Sequence, residues 1–225
     1  MREADGAIGY EWHEGQAMVR HDLRVVTEAA KRHIAIDTHE PVKDTGLRRT
    51  YPNWVSREGQ RGQEYNAWGR PPNPPEHEAN LVFTRMLGGP FDFTPGVLSL
   101  KGRGGQPIAA TIAKELAQYV ILYSSIQMAA DLPENYARYP AAFAFIRQVP
   151  VDWQESRALI GDIGEYAVIA RKDRSSADWF LARLAARRRT TSSCRSTFLN
   201  AVDATSRRYT AMGRTPIGVP HRTIL

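Results

Sequence analysis

Three glutamates, Glu40, Glu58 and Glu64, stand in one polar stretch between residues 37 and 69. A carboxylate can act as a general acid, as a general base or as a ligand for a hard metal ion such as calcium. Aromatic residues and arginines are interleaved with these glutamates; they are Tyr51, Trp54, Tyr65 and Trp68 with Arg48, Arg49, Arg57 and Arg61. Aromatic faces and planar guanidinium groups suit a flat ligand rich in hydroxyl groups. Because the stretch lacks a glycine-rich phosphate cradle, a sugar fits it better than a nucleotide.

A second interpretation needs no ligand. Surface loops are also rich in glutamate and arginine, and such residues commonly form solvated ion pairs that contribute little to stability. The residue types alone therefore leave a sugar site and an ordinary polar loop both open.

The glutamates follow a segment that is predicted to be a buried strand. Residues 34–36 form a short apolar run, and the chain turns polar directly after it, as in a strand that delivers side chains to one end of a sheet. The preceding residues 16–33 carry apolar side chains at steps of four, three and four, which predicts an amphipathic helix. A helix, a strand and a polar loop in succession are the repeating unit of an α/β barrel.

Further elements are predicted on both sides of residue 150. Before it, the patterns indicate a strand at 91–95 and helices at 81–87, 108–130 and 139–148. After it, apolar runs at 153–160, 165–170 and 178–181 indicate short strands separated by turns.

Residues 182–225 differ in composition from the rest of the chain. They hold nine Arg and one Asp but neither Lys nor Glu, so they carry all the positive excess and leave residues 1–181 with a net charge of −2. Arginine without lysine, with many Ser, Thr and Ala, is typical of an out-of-frame reading of a GC-rich gene. We therefore predict a basic tail that is disordered or read out of frame. A nucleic-acid arm, which would mix Lys with Arg and stacking aromatics, and a solvated tail are the alternatives.

The remaining composition excludes several classes of protein. The single cysteine, Cys194, excludes an internal disulfide and a cysteine metal cluster. No apolar run is long enough to span a membrane, and the first residues lack the apolar segment of a signal peptide. We expect neither a membrane nor a nucleic acid as a partner, and the localisation is left open.

Two long motifs carry a resemblance to a known family. THEPVKDTGLRRTYPNWVSREGQRGQEYNAWG at 38–69 and NPPEHEANLVFTRMLGGPFDFTPG at 73–96 resemble the second half of the catalytic barrel of glycoside hydrolase family 97. This family comprises bacterial α-glucosidases and α-galactosidases, and the similarity extends from Met18 to Leu181. It implies an α/β fold class: a partial (β/α)8 TIM-type barrel in residues 1–150, followed by the beginning of a small antiparallel β domain in residues 151–181.

The resemblance also implies roles for individual residues. Glu64 matches the general acid, Glu40 matches a general base of the inverting members, and His39 matches a position that contacts the sugar together with Glu40. Retaining members have glycine where Glu40 stands and use an aspartate from an earlier strand as nucleophile. The family also binds calcium, and Glu40, Glu58 and Glu64 match its glutamate ligands.

Two hypotheses from different classes follow. The first is hydrolysis of α-glucosidic bonds in oligosaccharides by an inverting, calcium-dependent acid/base mechanism. The second is a catalytically silent fragment or pseudogene product of such an enzyme; a retaining α-galactosidase of the same family is a further alternative. Because the family supplies another base and another calcium ligand from parts that this chain does not match, we expect little activity from this chain alone. Parent enzymes of the family are expected to be periplasmic or secreted.

Overall fold

The computed structural model describes residues 9–186 and the backbone of residues 209–210. The chain divides into two compact units, Met1–Gly59 and Gln60–Leu225. Most of the predicted basic tail lies outside the described residues. None of the helices in the described part is long and apolar enough to cross a membrane.

In the described part of the first unit, residues 9–59, there are two helices and two short strands. In chain order they are α1 (Gln16–Ala30), β1 (Ile36–Thr38), α2 (Leu47–Thr50) and β2 (Trp54–Arg57). Strands β1 and β2 are parallel neighbours. Val26 of α1, Val42 and Trp54 form the buried core of this unit. The predicted helix is therefore confirmed, although α1 ends earlier than expected because His33 adopts a left-handed backbone with φ 55°. The predicted strand is found two residues later than expected and is half-buried rather than buried, since β1 begins at Ile36 and Ile34 is 50% exposed.

The second unit places helices beside a sheet. Its α-helices are α3 (His77–Phe83), α4 (Ile112–Ile121), α5 (Pro133–Ala137) and α6 (Pro140–Gln148), with 3₁₀ helices at Gln63–Ala67, Arg85–Gly88 and Arg103–Gly105. The sheet has the order β3 (Trp153–Asp162), β4 (Tyr166–Asp173), β5 (Trp179–Ala185) and β6 (Tyr209–Thr210). Strands β3, β4 and β5 are antiparallel, and β6 runs parallel to β5.

One of two large apolar cores of the second unit forms where helices α3 and α4 meet the sheet. It is built from buried apolar residues of α3, α4, β4, β5 and the segment between α3 and α4; they are Leu81, Val82, Phe91, Phe93, Ile121, Leu122, Ala167, Ile169 and Leu184. Ala167 and Ile169 of β4 face this core, whereas Ala170 of the same strand packs with Trp179 in a separate cluster, so β4 is buried on both faces.

Two predicted elements between residues 90 and 130 are corrected. The helix predicted at 108–130 covers only Ile112–Ile121, since Thr111 caps its start by accepting the Lys114 N–H. Its end is fixed because Arg171 binds the last carbonyls. The strand predicted at 91–95 is instead an irregular segment outside the sheets, in which Thr94 has a left-handed backbone with φ 55°. Its hydrogen bonds go singly to neighbours instead, as in Phe91 N–H to Tyr123 O at 2.9 Å.

The three strands predicted after residue 150 are confirmed. Strand β5 continues to Ala185, past Leu181 where the basic tail was predicted to begin, because Leu184 is fully buried and completes its inward face. The first residues of the predicted tail therefore belong to the sheet, while the predicted assignment of the rest stays a prediction.

The described residues thus combine helices and strands and include a small sheet in which β3, β4 and β5 are antiparallel, as predicted. The partial (β/α)8 barrel stays a prediction, because β1 and β2 are the only strands among the described residues before Trp153.

Arg171 attaches the sheet to the end of α4. This side chain is 6% exposed. It donates hydrogen bonds to Val120 O at 2.5 Å, to Ile121 O at 3.1 Å and to Ser156 Oγ at 2.7 Å. Burial lowers the pKa of Arg171 to about 10, so the group remains charged at neutral pH. A cation among the terminal carbonyls of a helix is favoured because it satisfies them and opposes the helix dipole.

Replacing Arg171 by methionine should lower the free energy of unfolding by about 2–4 kcal/mol, because buried carbonyls lose their donors while the aliphatic stem is kept. Urea unfolding followed by circular dichroism measures the change. Arg174→Met is the matched control, because Arg174 pairs with Asp152 in an exposed ion pair and its loss should change little. Equal effects of the two substitutions would contradict this role of Arg171.

Candidate active site

The carboxyl ends of β1 and β2 bring two of the predicted site residues together. The chain leaves β1 at Thr38 and β2 at Arg57, and the Glu58 N–H donates to Thr38 O at 2.8 Å. His39 Nδ1 lies 3.7 Å from Glu58 Oε2. Parallel neighbouring strands end at the same edge of a sheet, which is where α/β folds place their ligands.

Glu40 follows His39 with an unusual backbone. Its φ is 47°, in the left-handed region that favours glycine, and its side chain is exposed to solvent. A glutamate in this conformation costs of order 1 kcal/mol relative to an ordinary backbone. Such residues concentrate at functional sites, where the surrounding structure maintains them.

The end of β2 is held by a buried arginine. Arg57 Nη1 lies 3.4 Å from Asp44 Oδ1, and its guanidinium stacks over the Trp54 ring at 3.3 Å. Asp44 also pairs with Arg48. Burial lowers the pKa of Arg57, and the Asp44 carboxylate opposes this change. The position of Glu58, the next residue, is therefore fixed by a charged and aromatic support.

Glu64 lies in the second unit, on the 3₁₀ helix Gln63–Ala67. The Glu64 N–H donates to Thr94 Oγ1 at 3.3 Å, and its side chain is exposed. Beside it, Tyr65 and Trp68 meet edge to face at 6.2 Å, and Trp68 is 59% exposed. The helix thus presents a carboxyl group and an aromatic surface to solvent. The predicted convergence of Glu64 with Glu40 and Glu58 stays a prediction.

A buried polar cluster below this helix was not predicted. Its centre is Glu115 of α4, which is fully buried, and a Glu78–Lys114 ion pair of 2.8 Å lies nearby. Burial, helped by the negative charge of Glu78, raises the pKa of Glu115 to about 8. One feature of the sequence indicates that Glu115 is buried. It stands three residues after Ile112 and four before Tyr119, and so lies on the apolar face of the helix. A charged residue in that stripe is a candidate for a buried polar role.

The donor atoms present suit a calcium ion. Glu40 and Glu58 offer hard carboxylate oxygens, the ligands that calcium prefers. His39 is a softer donor, and its side chain is 33% exposed. The predicted division of roles, with the glutamates as ligands and His39 as a sugar contact, stays a prediction.

Comparison with known proteins identifies the family. The profile of glycoside hydrolase 97 matches residues 4–60, and the profile described as "Glycosyl-hydrolase 97 C-terminal, oligomerisation" matches residues 152–213. The second match extends into the predicted tail. The chain belongs to glycoside hydrolase family 97.

Curated relatives and solved structures agree with this assignment. A retaining α-galactosidase of Bacteroides thetaiotaomicron is 35% identical over 71% of this chain, and a probable retaining α-galactosidase of Streptomyces bingchenggensis is 35% identical over 75%. The chain spans 25% of the length of each.

The solved structures include a closer likeness. A family 97 enzyme from Pseudoalteromonas sp. strain K8 in complex with acarbose is 55% identical over 82% of this chain and 29% of that one, with a TM-score of 0.76. A point variant of a family 97 enzyme from the same strain has been solved in complex with panose. A β-arabinopyranosidase is 26% identical over 74% of this chain and 27% of that one, with a TM-score of 0.66.

Proposed function

We propose that this chain contributes the second half of a (β/α)8 barrel to a glycosidase that hydrolyses α-glucosidic bonds in oligosaccharides with inversion. The observation that carries the proposal is Glu40, which keeps a carboxylate at a backbone position where glycine would fit better. Retaining members of the family are expected to have that glycine. A carboxylate retained against this backbone preference is best explained by a chemical role, and general base is the role implied by the resemblance.

The two catalytic carboxyl groups have separate tasks. Glu64 would protonate the glycosidic oxygen of the leaving sugar, while Glu40 would accept a proton from a water molecule that attacks the opposite face of the ring. Tyr65 and Trp68 offer apolar faces on which a sugar ring can stack, and His39 can donate to or accept from a hydroxyl group. The product released first would have the β configuration.

Calcium is the proposed cofactor, held by Glu40, Glu58 and Glu64. Bound there, it would keep Glu40 ionised and orient the substrate hydroxyl groups. Glu58 is suited to this task because it is buried at the end of β2, where its carboxylate has a fixed position.

A retaining α-galactosidase is the second candidate, because two curated relatives carry that name at 35% identity. The 55% identical structures are described with acarbose and panose, which are oligosaccharide ligands. The test is hydrolysis of aryl α-glucoside and aryl α-galactoside, with the first anomer identified by NMR. It uses the 225-residue chain and a chimera in which residues 4–186 replace the matching part of the Pseudoalteromonas enzyme. Preference for the galactoside with release of the α-anomer would overturn the proposal.

Replacing Glu40 by glycine should separate stability from activity. Glycine adopts the left-handed backbone without strain. The free energy of unfolding should therefore stay the same or rise by up to about 1 kcal/mol, and the melting temperature should not fall. Hydrolysis by the chimera should fall by about 10²–10⁴-fold, because the general base is lost. His33→Gly is the matched control, since His33 has the same backbone conformation with φ 55° and lies outside the site. A large loss of stability in Glu40→Gly would show that Glu40 is structural.

Calcium should raise the melting temperature of the chain, because a ligand that binds only the folded state stabilises it. Glu58→Gln should remove this increase by taking away a carboxylate ligand. Glu28→Gln makes the same change of charge at an exposed ion pair on α1 and should leave the increase intact. Differential scanning fluorimetry with calcium, and with magnesium for comparison, measures the effect. Equal responses in both variants would remove Glu58 from the ligand set.

A further inference from the structure

The carboxyl group of Glu115 joins three segments of the second unit. Its Oε1 accepts a hydrogen bond from Gln63 Nε2 at 2.9 Å. Its Oε2 accepts from the Gly96 and Val97 N–H groups, both at 3.2 Å. The backbone of Glu115 belongs to α4, so one side chain connects this helix to the 3₁₀ helix Gln63–Ala67 and to the turn at 96–97.

The first of these contacts reaches the residue next to Glu64. Gln63 is 1% exposed, and its N–H donates to Phe93 O at 2.7 Å. Asn73 supports the same helix from another side, since its N–H donates to Asn66 Oδ1 at 2.8 Å and its Nδ2 donates to Gly62 O at 2.9 Å. Buried amide groups therefore support the exposed Glu64 from below, and Glu115 supplies them with a buried carboxyl group whose oxygens accept hydrogen bonds.

The turn on the other side of Glu115 is equally constrained. Gly96 has φ 97°, and a Cβ added there would lie 2.3 Å from Tyr119 Oη. Tyr136 Oη donates to Gly96 O at 3.0 Å, and Tyr119 Oη donates to Met128 O at 2.7 Å. Because the turn is fixed from behind, its two N–H groups hold the Glu115 carboxyl in one orientation toward Gln63.

We propose that Glu115 is a positioning residue, which acts through Gln63 to hold the 3₁₀ helix that carries Glu64. The effect of Glu115 on catalysis rests on the proposed role of Glu64 as general acid. The coupling of Glu115 to the 3₁₀ helix does not depend on that role. Positioning groups of this kind matter because small displacements of an acid from its productive geometry cost large factors in rate.

An exchange of the two side-chain types gives a sharp test. In Gln63→Glu two carboxyl groups face each other across 2.9 Å; above pH 8, where Glu115 has released its own proton, their like charges drive the pair apart. In Glu115→Gln the side-chain amide of Gln63 can rotate by 180°, so that its Oε1 accepts the N–H of the new amide at position 115. This rotation breaks no other hydrogen bond, because Gln63 Oε1 has no partner among the described residues. In the double variant, the new amide at position 115 would keep its carbonyl on the two backbone N–H groups and donate its N–H to the new carboxylate at position 63. The double variant thus has the same three hydrogen bonds as the parent chain, except that position 115 now donates to position 63 instead of accepting from it.

The readout is amide hydrogen exchange of the 225-residue chain above pH 8, where Glu115 is ionised, measured by mass spectrometry. Gln63→Glu should speed exchange of peptides covering 60–69 and 94–98 by about tenfold or more. Adding Glu115→Gln should bring both back to within about twofold of the parent chain, as coupled residues do in a double-mutant cycle. Peptides from β4 should exchange at the parent rate throughout, which a general loss of stability would not allow. Failure of the double variant to recover, or equal acceleration in β4, would overturn the proposal.

The same three variants in the chimera report on catalysis. Gln63→Glu should lower kcat with KM little changed, and the double variant should recover. Recovery of exchange without recovery of kcat would show that Glu115 holds the helix but does not position the acid. A chimera without hydrolytic activity in any form would contradict the proposed function and leave the exchange result standing.

Discussion

Replacing Glu64 by glutamine is expected to lower hydrolysis of an alkyl α-glucoside by the chimera by about 10²–10⁴-fold. Glutamine has the shape of glutamic acid, but its amide cannot deliver a proton to the leaving oxygen. The side chain is exposed on its 3₁₀ helix, so the fold should be unaffected. The loss should be much smaller for an α-glucoside with an acidic leaving group such as dinitrophenol, because that group departs without protonation.

This dependence on the leaving group separates an acid from a binding residue. Glu76→Gln is the control, because Glu76 is also exposed and lies near Glu64 in the chain, and it should leave both rates unchanged. If Glu64→Gln lowers the two rates by the same factor, Glu64 contributes binding or structure, and the general acid must be sought elsewhere.

The stability of the chain should fall as the pH rises between about 5 and 8, and Glu115 should be the main cause. Burial and the nearby Glu78 raise its pKa from 4.5 to about 8. The folded chain therefore keeps a proton that the unfolded chain releases. Stability from this group is fully present below pH 4.5 and is lost as the pH rises through 8. The slope should approach about 1.4 kcal/mol per pH unit.

The charged and titratable groups around Glu115 set the size of this effect. Glu78 lies nearby but is paired with Lys114, which offsets part of its charge, and Tyr119 stays neutral because burial raises its pKa. Glu115→Gln should flatten the dependence, whereas Glu134→Gln, an exposed position on α5, should leave it unchanged. Urea unfolding at a series of pH values measures the slope. Identical slopes in the parent chain and in Glu115→Gln would mean that the three N–H donors hold Glu115 ionised.

The sequence predicted those parts of the fold that local patterns determine. The apolar spacing of α1 and the apolar runs of β3, β4 and β5 locate these elements to within a few residues. The sequence did not predict the end of α4, because that end is set by a residue distant in sequence: Arg171 of the sheet binds the last carbonyls of the helix.

In the candidate site, too, some features could be predicted from the sequence and others depend on the folded chain. His39 and Glu58 were predicted from motif resemblance, and the parallel strands bring them together. The left-handed backbone of Glu40 could not be predicted, because it arises from the path of the chain after β1. The function of Glu115 was equally hidden, since its partners Gln63 and Gly96 are distant in sequence.

The left-handed backbone at Glu40 bears on how the two mechanisms of this family can interconvert during evolution. A single nucleotide substitution turns a glutamate codon into a glycine codon. Because the chain already adopts at this position a conformation that glycine prefers, such a mutation meets no barrier from the fold. Loss of the proposed inverting base is therefore one genetic step away. On that proposal, the harder step between the two classes is acquiring the aspartate nucleophile that retaining members are expected to carry on another strand.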